Sequence, residues 1–270
     1  MFLPSPKWSL AIALISALAL PAHGRELRVC ADPANMPFSN IRREGFENHL
    51  AELLAGALDA HLTYVWQRMG RGFVREYLGK ARCDLLIGVP ANYPPVLTTV
   101  PYYRSAYVFV SPSDQQPIDS FDSPRLRGLK IGVQVLDEDF APPGQALARR
   151  GLQNTIVGFD TTGDDAGSIV DAVASRKIDL AIVWGPLAGY FVRKHPNSFQ
   201  IHPVKPEIDP PGLPFAFDIS MAVRKNNNAL RDELNAFLTK YSQKIRATLA
   251  EYGVPQLPLI SATSAGEVTQ

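Results

Sequence analysis

Short apolar runs, bounded by polar or turn-forming residues, alternate along this chain with stretches whose apolar positions recur every three or four residues. The clearest run is Leu85-Leu86-Ile87-Gly88-Val89, set between Asp84 and Pro90. Apolar towards both faces, it predicts a central strand of a parallel sheet covered by helices on each side. Leu27 to Ala31 and Leu62 to Trp66 predict two further strands. Between them Phe46, Leu50, Leu53, Leu54, Ala57 and Leu58 repeat with helical spacing, with Glu47 in the first turn. Arg71 to Lys80 predicts a short helix leading into a strand over Cys83 to Val89. This βαβαβ order implies a doubly wound parallel sheet with right-handed crossovers.

Tyr103 to Val110 is a second extended run, ending in Ser111-Pro112, after which the pattern restarts. Strands are predicted at Leu129–Val133, Thr155–Phe159 and Leu180–Trp184, with helices at Gly144–Gly151, Ser168–Ala174 and Leu187–Lys194. Phe215 to Val223 is extended again. One long closing helix then carries Leu230, Leu234, Phe237, Leu238, Tyr241, Ile245 and Leu249 on a single stripe, with Asn228 as its N-cap. Two α/β units with extended crossings near Val110 and Ile219 predict an α/β clamshell: two doubly wound lobes joined by two hinge strands. That architecture resembles the type II periplasmic solute-binding proteins, in which the lobes close about the hinge. The expected boundaries are 25–110 for the first part of lobe 1, 111–216 for lobe 2, 217–258 for the return to lobe 1, and 259–270 for a disordered tail.

The first residues alter the picture of where the protein works. Lys7, the apolar stretch Trp8 to Leu20 and Pro21-Ala22-His23-Gly24 describe a secretory signal over 1–24, cleaved after Ala22 or Gly24. The stretch falls short of the ~20 apolar residues a spanning helix needs. No Cys follows it, so neither a membrane anchor nor a lipid anchor is expected, and the mature chain reads as a periplasmic monomer. The net charge of +1, with 20% charged residues and no basic stripe, gives no footprint for nucleic acid.

An oxidising compartment favours pairing of Cys30 and Cys83. The strand register argues against it, since an offset of about four residues, ~13 Å at strand rise, exceeds the ~7 Å Cα limit for a bridge. The sequence leaves that pairing open.

Four stretches carry a more specific likeness. They are Leu27 to Asn40 with Gly45-Phe46-Glu47-Asn48; Arg71-Gly-Phe-Val-Arg75 with Arg82 to Pro90; Leu97 to Val110; and Val183 to Phe191 with Gly212 to Asp218. Together they resemble the solute-binding-like proteins associated with quinoprotein dehydrogenases, the MxaJ/XoxJ type of methanol-oxidation systems, over Leu27 to about Pro258. The resemblance implies a periplasmic, non-enzymatic protein that acts with a pyrroloquinoline quinone (PQQ)-dependent methanol or alcohol dehydrogenase, in its maturation or activation. The alternative is a transport component capturing a small solute for import.

The binding chemistry supports a departure from amino acid capture. Amino-acid-binding proteins of this architecture hold the ligand carboxylate with an Arg after the third strand and its ammonium with an acidic residue in the second lobe. Here those places read Pro90 to Thr99, without Arg, and Trp184-Gly185-Pro186. A zwitterion loses its bidentate partner and its counter-charge. The candidates for a cleft are instead aromatic and polar: Asp32, Asn35, Phe38, Tyr93, Tyr102, Tyr103, Arg104, Trp184, Tyr190, Phe217 and Asp218. Aromatic faces with hydroxyl handles suit a flat ligand or a protein segment. Each has a plainer role open to it: core packing for the aromatics, an Asx turn with Pro33 for Asp32, a hinge hydrogen bond for Asp218, and a structural pair with Asp84 or Asp218 for Arg104. Gly163 to Ser168 with Asp164-Asp165 reads as a capping loop, far from the six to eight oxygens of a calcium site. The five His are dispersed, and no nucleophile elbow or phosphate loop occurs. Neither a cofactor, a metal nor a catalytic set is expected.

Overall fold

The computed structural model describes residues 24–136 and 139–259. The proposed signal (but for Gly24) and the proposed tail (but for Leu259) lie outside the described residues. The first lobe is built from β1 Arg25–Ala31, α1 Phe46–Ala57, β2 Ala60–Trp66 and β3 Leu86–Pro90. β1 and β2 run parallel, and a bridge between Val29 and Leu85 sets β3 on the other side of β1. The chain then enters β4 Tyr103–Pro112, every residue of which is buried.

Beyond β4 come β5 Ile131–Leu136, α2 Pro142–Arg149, β6 Ile156–Asp160, α3 Ser168–Ala174, β7 Leu180–Trp184, α4 Gly185–Val192 and β8 Phe199–Pro203. β6, β5 and β7 are parallel neighbours in that order. β7 and β8 flank the second half of β4, both antiparallel to it. The chain returns through β9 Ala216–Val223, antiparallel to β3 and to the first half of β4, and ends in α5 Asn228–Lys240 and α6 Ser242–Glu251.

β4 and β9 are thus the two crossing strands. They lie side by side over the register Tyr103↔Ile219 to Ala106↔Ala216. One half of β4 belongs to each lobe, which is why its ten residues have no exposed face. Alternate side chains of a strand point to opposite faces. Accordingly, Val108 and Val110 pack with Ile169, Val173 and Leu187 on one side of the second sheet. Tyr107 and Phe109 pack with Phe121, Leu126 and Phe215 on the other. The first-lobe core gathers Leu27, Phe46, Leu50, Leu54, Ile87, Met221, Leu234 and Leu249.

Several local expectations need correction. The predicted helix Arg71 to Lys80 is a single π-type turn, Val74–Gly79. The third strand starts at Leu86, after a bend at Asp84, rather than at Cys83. The closing helix is two helices broken at Tyr241, and the N-cap is Asn227, whose Oδ1 accepts the Leu230 N–H at 3.4 Å. Periodicity missed the break because Leu234, Phe237, Ile245 and Leu249 on both sides of it are buried in one core.

Cys30 and Cys83 form a disulfide, with Cα atoms 5.5 Å apart. The offset argument assumed that Cys83 continues the strand. Instead Ala81 adopts a positive φ of 59° and Asp84 bends the chain, folding Cys83 back towards β1. After α6 the chain returns to the hinge, where the Leu257 N–H donates to the Arg104 carbonyl at 2.8 Å and Ser105 Oγ donates to the Pro255 carbonyl at 2.7 Å.

Candidate functional site

The lobes enclose a cavity of about 500 Å³ at the carboxyl ends of β1, β3, β5, β6 and β7, the edge at which open α/β sheets present ligands. Its first-lobe wall is made by Asn35 and Phe38, by Glu47 and Met69, and by Gly88 to Pro90. The hinge strands contribute Tyr103, Tyr107, Phe217 and Ile219. The second-lobe wall is Gln134, Pro142, Thr161, Thr162, Trp184 and Leu187. Of these lining residues, Glu47 is the one with a side chain that carries a charge.

Local sequence accounts for the position of Glu47. Asn48 Oδ1 accepts the N–H groups of Gly45 and Asn40, each at 3.1 Å, which starts α1 at this point. Gly45 carries no side chain because the Phe38 carbonyl occupies that space, and the same carbonyl accepts the Glu47 N–H at 2.9 Å. The Glu47 carboxylate then rests over the bare backbone of Gly88, where any Cβ would collide with it. Enclosure between the lobes, then the nearby charge of Asp32, push the Glu47 carboxyl up to about 8.

Across the cavity, Gln134 joins the second-lobe strands. Its amide donates to Thr161 Oγ1 at 2.8 Å, and its Oε1 accepts the Trp184 N–H at 2.6 Å. This fixes Trp184 at the start of α4, edge-on to Tyr107 (5.4 Å between ring centroids) and to Phe217 (5.8 Å). Gly185 lets the helix approach β4, since a Cβ there would lie 2.6 Å from the Ala106 carbonyl. At the rim, Arg68 reaches from the first lobe to Asp160 at 3.4 Å and to Thr162, and Arg71 reaches Asp139 at 3.2 Å.

Of the residues singled out from sequence, the cavity brings together Asn35, Phe38, Tyr103, Trp184 and Phe217. Asp32 is buried beneath it, with Oδ1 accepting the Ala34 N–H at 3.0 Å and Oδ2 the Met69 N–H at 2.8 Å, so it holds the loops. Tyr102 faces the first-lobe core and donates to the Ile87 carbonyl at 3.2 Å. Tyr93 is exposed on the loop after β3. Tyr190 stacks on Tyr252 at 5.9 Å, tying α4 to the end of α6. Arg104 is 9% exposed and bonds Glu207 at 2.5 Å and Asp218 at 3.3 Å, which makes Arg104 and Asp218 a hinge pair rather than cleft groups. Asp84 pairs with Arg28 instead, at 2.7 Å. Sequence reasoning missed Glu47, Tyr107 and Gln134 as lining groups. From sequence Glu47 is only a first-turn acid of the predicted helix, and the Gly45-Phe46-Glu47-Asn48 stretch is the signal that could have found it.

Two α/β lobes hinged by paired strands around a lined cavity define a clamshell of the periplasmic-binding-protein class. No protein-family model matches the chain. It is 34% identical over 253 residues to protein MoxJ of Methylorubrum extorquens AM1, covering 86% of this chain and 82% of that one. It is similar to the crystal structure of MxaJ from Methlophaga aminisulfidivorans MPT, with TM-score 0.78 and 32% identity over 86% of this chain and all of that one. Periplasmic binding protein XoxJ from Methylobacterium extorquens AM1 superposes with TM-score 0.70 and 35% identity, again over 86% and 100%. The chain belongs to the MoxJ family, the MxaJ/XoxJ-type periplasmic binding proteins.

Proposed function

We propose that this protein is a periplasmic, non-enzymatic accessory of a PQQ-dependent methanol or alcohol dehydrogenase system, aiding maturation or activation of that enzyme. The reading rests on membership of the MoxJ family together with an aromatic cavity whose lining has no Arg to grip a carboxylate. The dehydrogenase is met either on the outer surface or through the cavity between the lobes. No helix among the described residues is long and apolar enough to cross a membrane.

The test is addition of the purified protein to the apo dehydrogenase. A dose-dependent gain in dehydrogenase activity, with co-elution of the two proteins, supports the accessory role. Unchanged activity and separate elution refute it. A second reading, capture of a small solute for import, is favoured by one observation, the cavity of about 500 Å³ between the lobes. Tight one-to-one solute binding with lobe closure, in the absence of dehydrogenase activation, would transfer the assignment to transport.

A further inference from the structure

We propose that the cavity binds an organic ammonium ion that has an apolar body and carries no carboxylate. Glu47 provides the counter-charge from the first turn of α1, and Phe38, Tyr103, Tyr107, Trp184 and Phe217 provide the surrounding aromatic faces. This goes beyond the accessory reading and does not depend on it.

Glu47 is the one acid of the lining, and no hydrogen bond or ion pair occupies its carboxyl group among the described residues. A half-buried carboxylate without a partner is costly, and that cost is reduced when a cation arrives to meet it. The aromatic rings present negative faces to the same space, so they favour a cation that has shed much of its water. Gln134 cannot take over the role, because its amide is already committed to Thr161 and to the Trp184 N–H. The second half of an amino acid, its carboxylate, would find no guanidinium. Arg104 is turned away into its pair with Glu207 and Asp218, and Arg68 is engaged at the rim by Asp160. Carboxylate without Arg therefore selects amines over zwitterions.

Binding should also be linked to a proton. The ionisable groups that face Glu47 are Asp32 just after β1, Tyr64 from β2, Tyr102 just before β4 and Tyr103 at its start. β3 meets it with Gly88, and β9 contributes Phe217 and Ile219 to the wall, none of which ionises. Without a cation these surroundings favour the protonated acid near neutral pH, so an incoming ammonium ion displaces a proton. Affinity then rises with pH until Glu47 is ionised in the free protein, by roughly 15-fold between pH 6.5 and 8.0.

The experiment is calorimetric titration of the full chain with benzylammonium chloride, with benzyl alcohol and phenylalanine as matched probes. The expected result is one-to-one benzylammonium binding at pH 8.0 that weakens about 15-fold at pH 6.5. Benzyl alcohol and phenylalanine should each bind at least roughly tenfold more weakly, as loss of a buried charge partner implies. Glu47→Gln, nearly the same shape, should abolish both the preference for ammonium over alcohol and the dependence on pH. In the unmutated chain, heats at pH 6.5 that change with the ionisation enthalpy of the buffer would report proton release without reliance on any variant. Three outcomes overturn the inference: no benzylammonium binding at millimolar concentration, benzyl alcohol binding as tightly as benzylammonium, or undiminished ammonium preference in Glu47→Gln. None of them bears on activation of the dehydrogenase, so the two readings stand or fall separately.

Discussion

The position of Glu47 makes a sharp thermodynamic prediction. In the unfolded chain its carboxyl titrates near 4.5, and in the folded protein at about 8. The folded state therefore holds the proton more tightly. As pH rises between those values the native protein loses stability, by up to about 1.4 kcal/mol per unit, and above about 8 the loss is complete. The ceiling on this penalty is about 1 kcal/mol at pH 5, about 3 kcal/mol at pH 7 and about 5 kcal/mol at pH 9. Glu47 keeps part of its surface open to the cavity, so screening by the water there reduces these figures to roughly half.

Glu47→Gln removes the ionisation and should stabilise the protein relative to the parent by an amount that grows with pH. The growth should be about 2 kcal/mol between pH 5 and pH 9. Urea unfolding of both proteins at pH 5, 7 and 9 measures it. Taking the difference cancels every other titrating group and any constant effect of the amide. Parallel stability curves, or a gap that narrows as pH rises, would refute the placement of an unpaired carboxylate between the lobes.

Other expectations follow from the same contacts. The Cys30–Cys83 bridge closes a loop with a sequence separation of 53. Replacing both by Ser should cost about 4 kcal/mol in urea unfolding on the loop-entropy relation, and a loss well below that would show the reduced chain retaining structure. Arg104→Met leaves Asp218 and Glu207 without their cation at the hinge, so a destabilisation of about 2–4 kcal/mol is expected, largely cancelled when Asp218→Asn is added. Gly88→Ala pushes a Cβ into the Glu47 carboxylate. The flexible carboxylate should swing aside at a cost of less than about 1 kcal/mol and flatten the pH-dependent gap described above, which the same unfolding series would report. The rim pairs Arg68–Asp160 and Arg71–Asp139 are well exposed. Replacing both Arg by Ala should change stability by less than about 1 kcal/mol while increasing the radius of gyration in solution scattering as the lobes part.

The chain alone determined the class of fold and the aromatic, Arg-free side of its cavity; the expected lack of an acidic counter-charge is overturned by Glu47. Runs such as Leu85 to Val89 are apolar on both faces because α1 and the closing helices cover one face and the Val74–Gly79 turn the other, and that constraint is written in consecutive residues. The missing Arg after β3 and the Trp184-Gly185-Pro186 end of β7 were equally legible, because those positions follow directly from strand order. The tertiary structure alone decided which side chains share a space. Glu47 reads as an ordinary first-turn acid until Gly88, from a different strand, is seen to leave room for its carboxylate. Cys30 and Cys83 look too far apart until the bend at Asp84 brings one back beside the other. Tyr190 and Arg104 have the chemistry of cleft residues, yet Tyr252 and Asp218, far away in sequence, claim them first. Periodicity reports the face a residue presents; which long-range partner reaches that face is set by how the lobes pack.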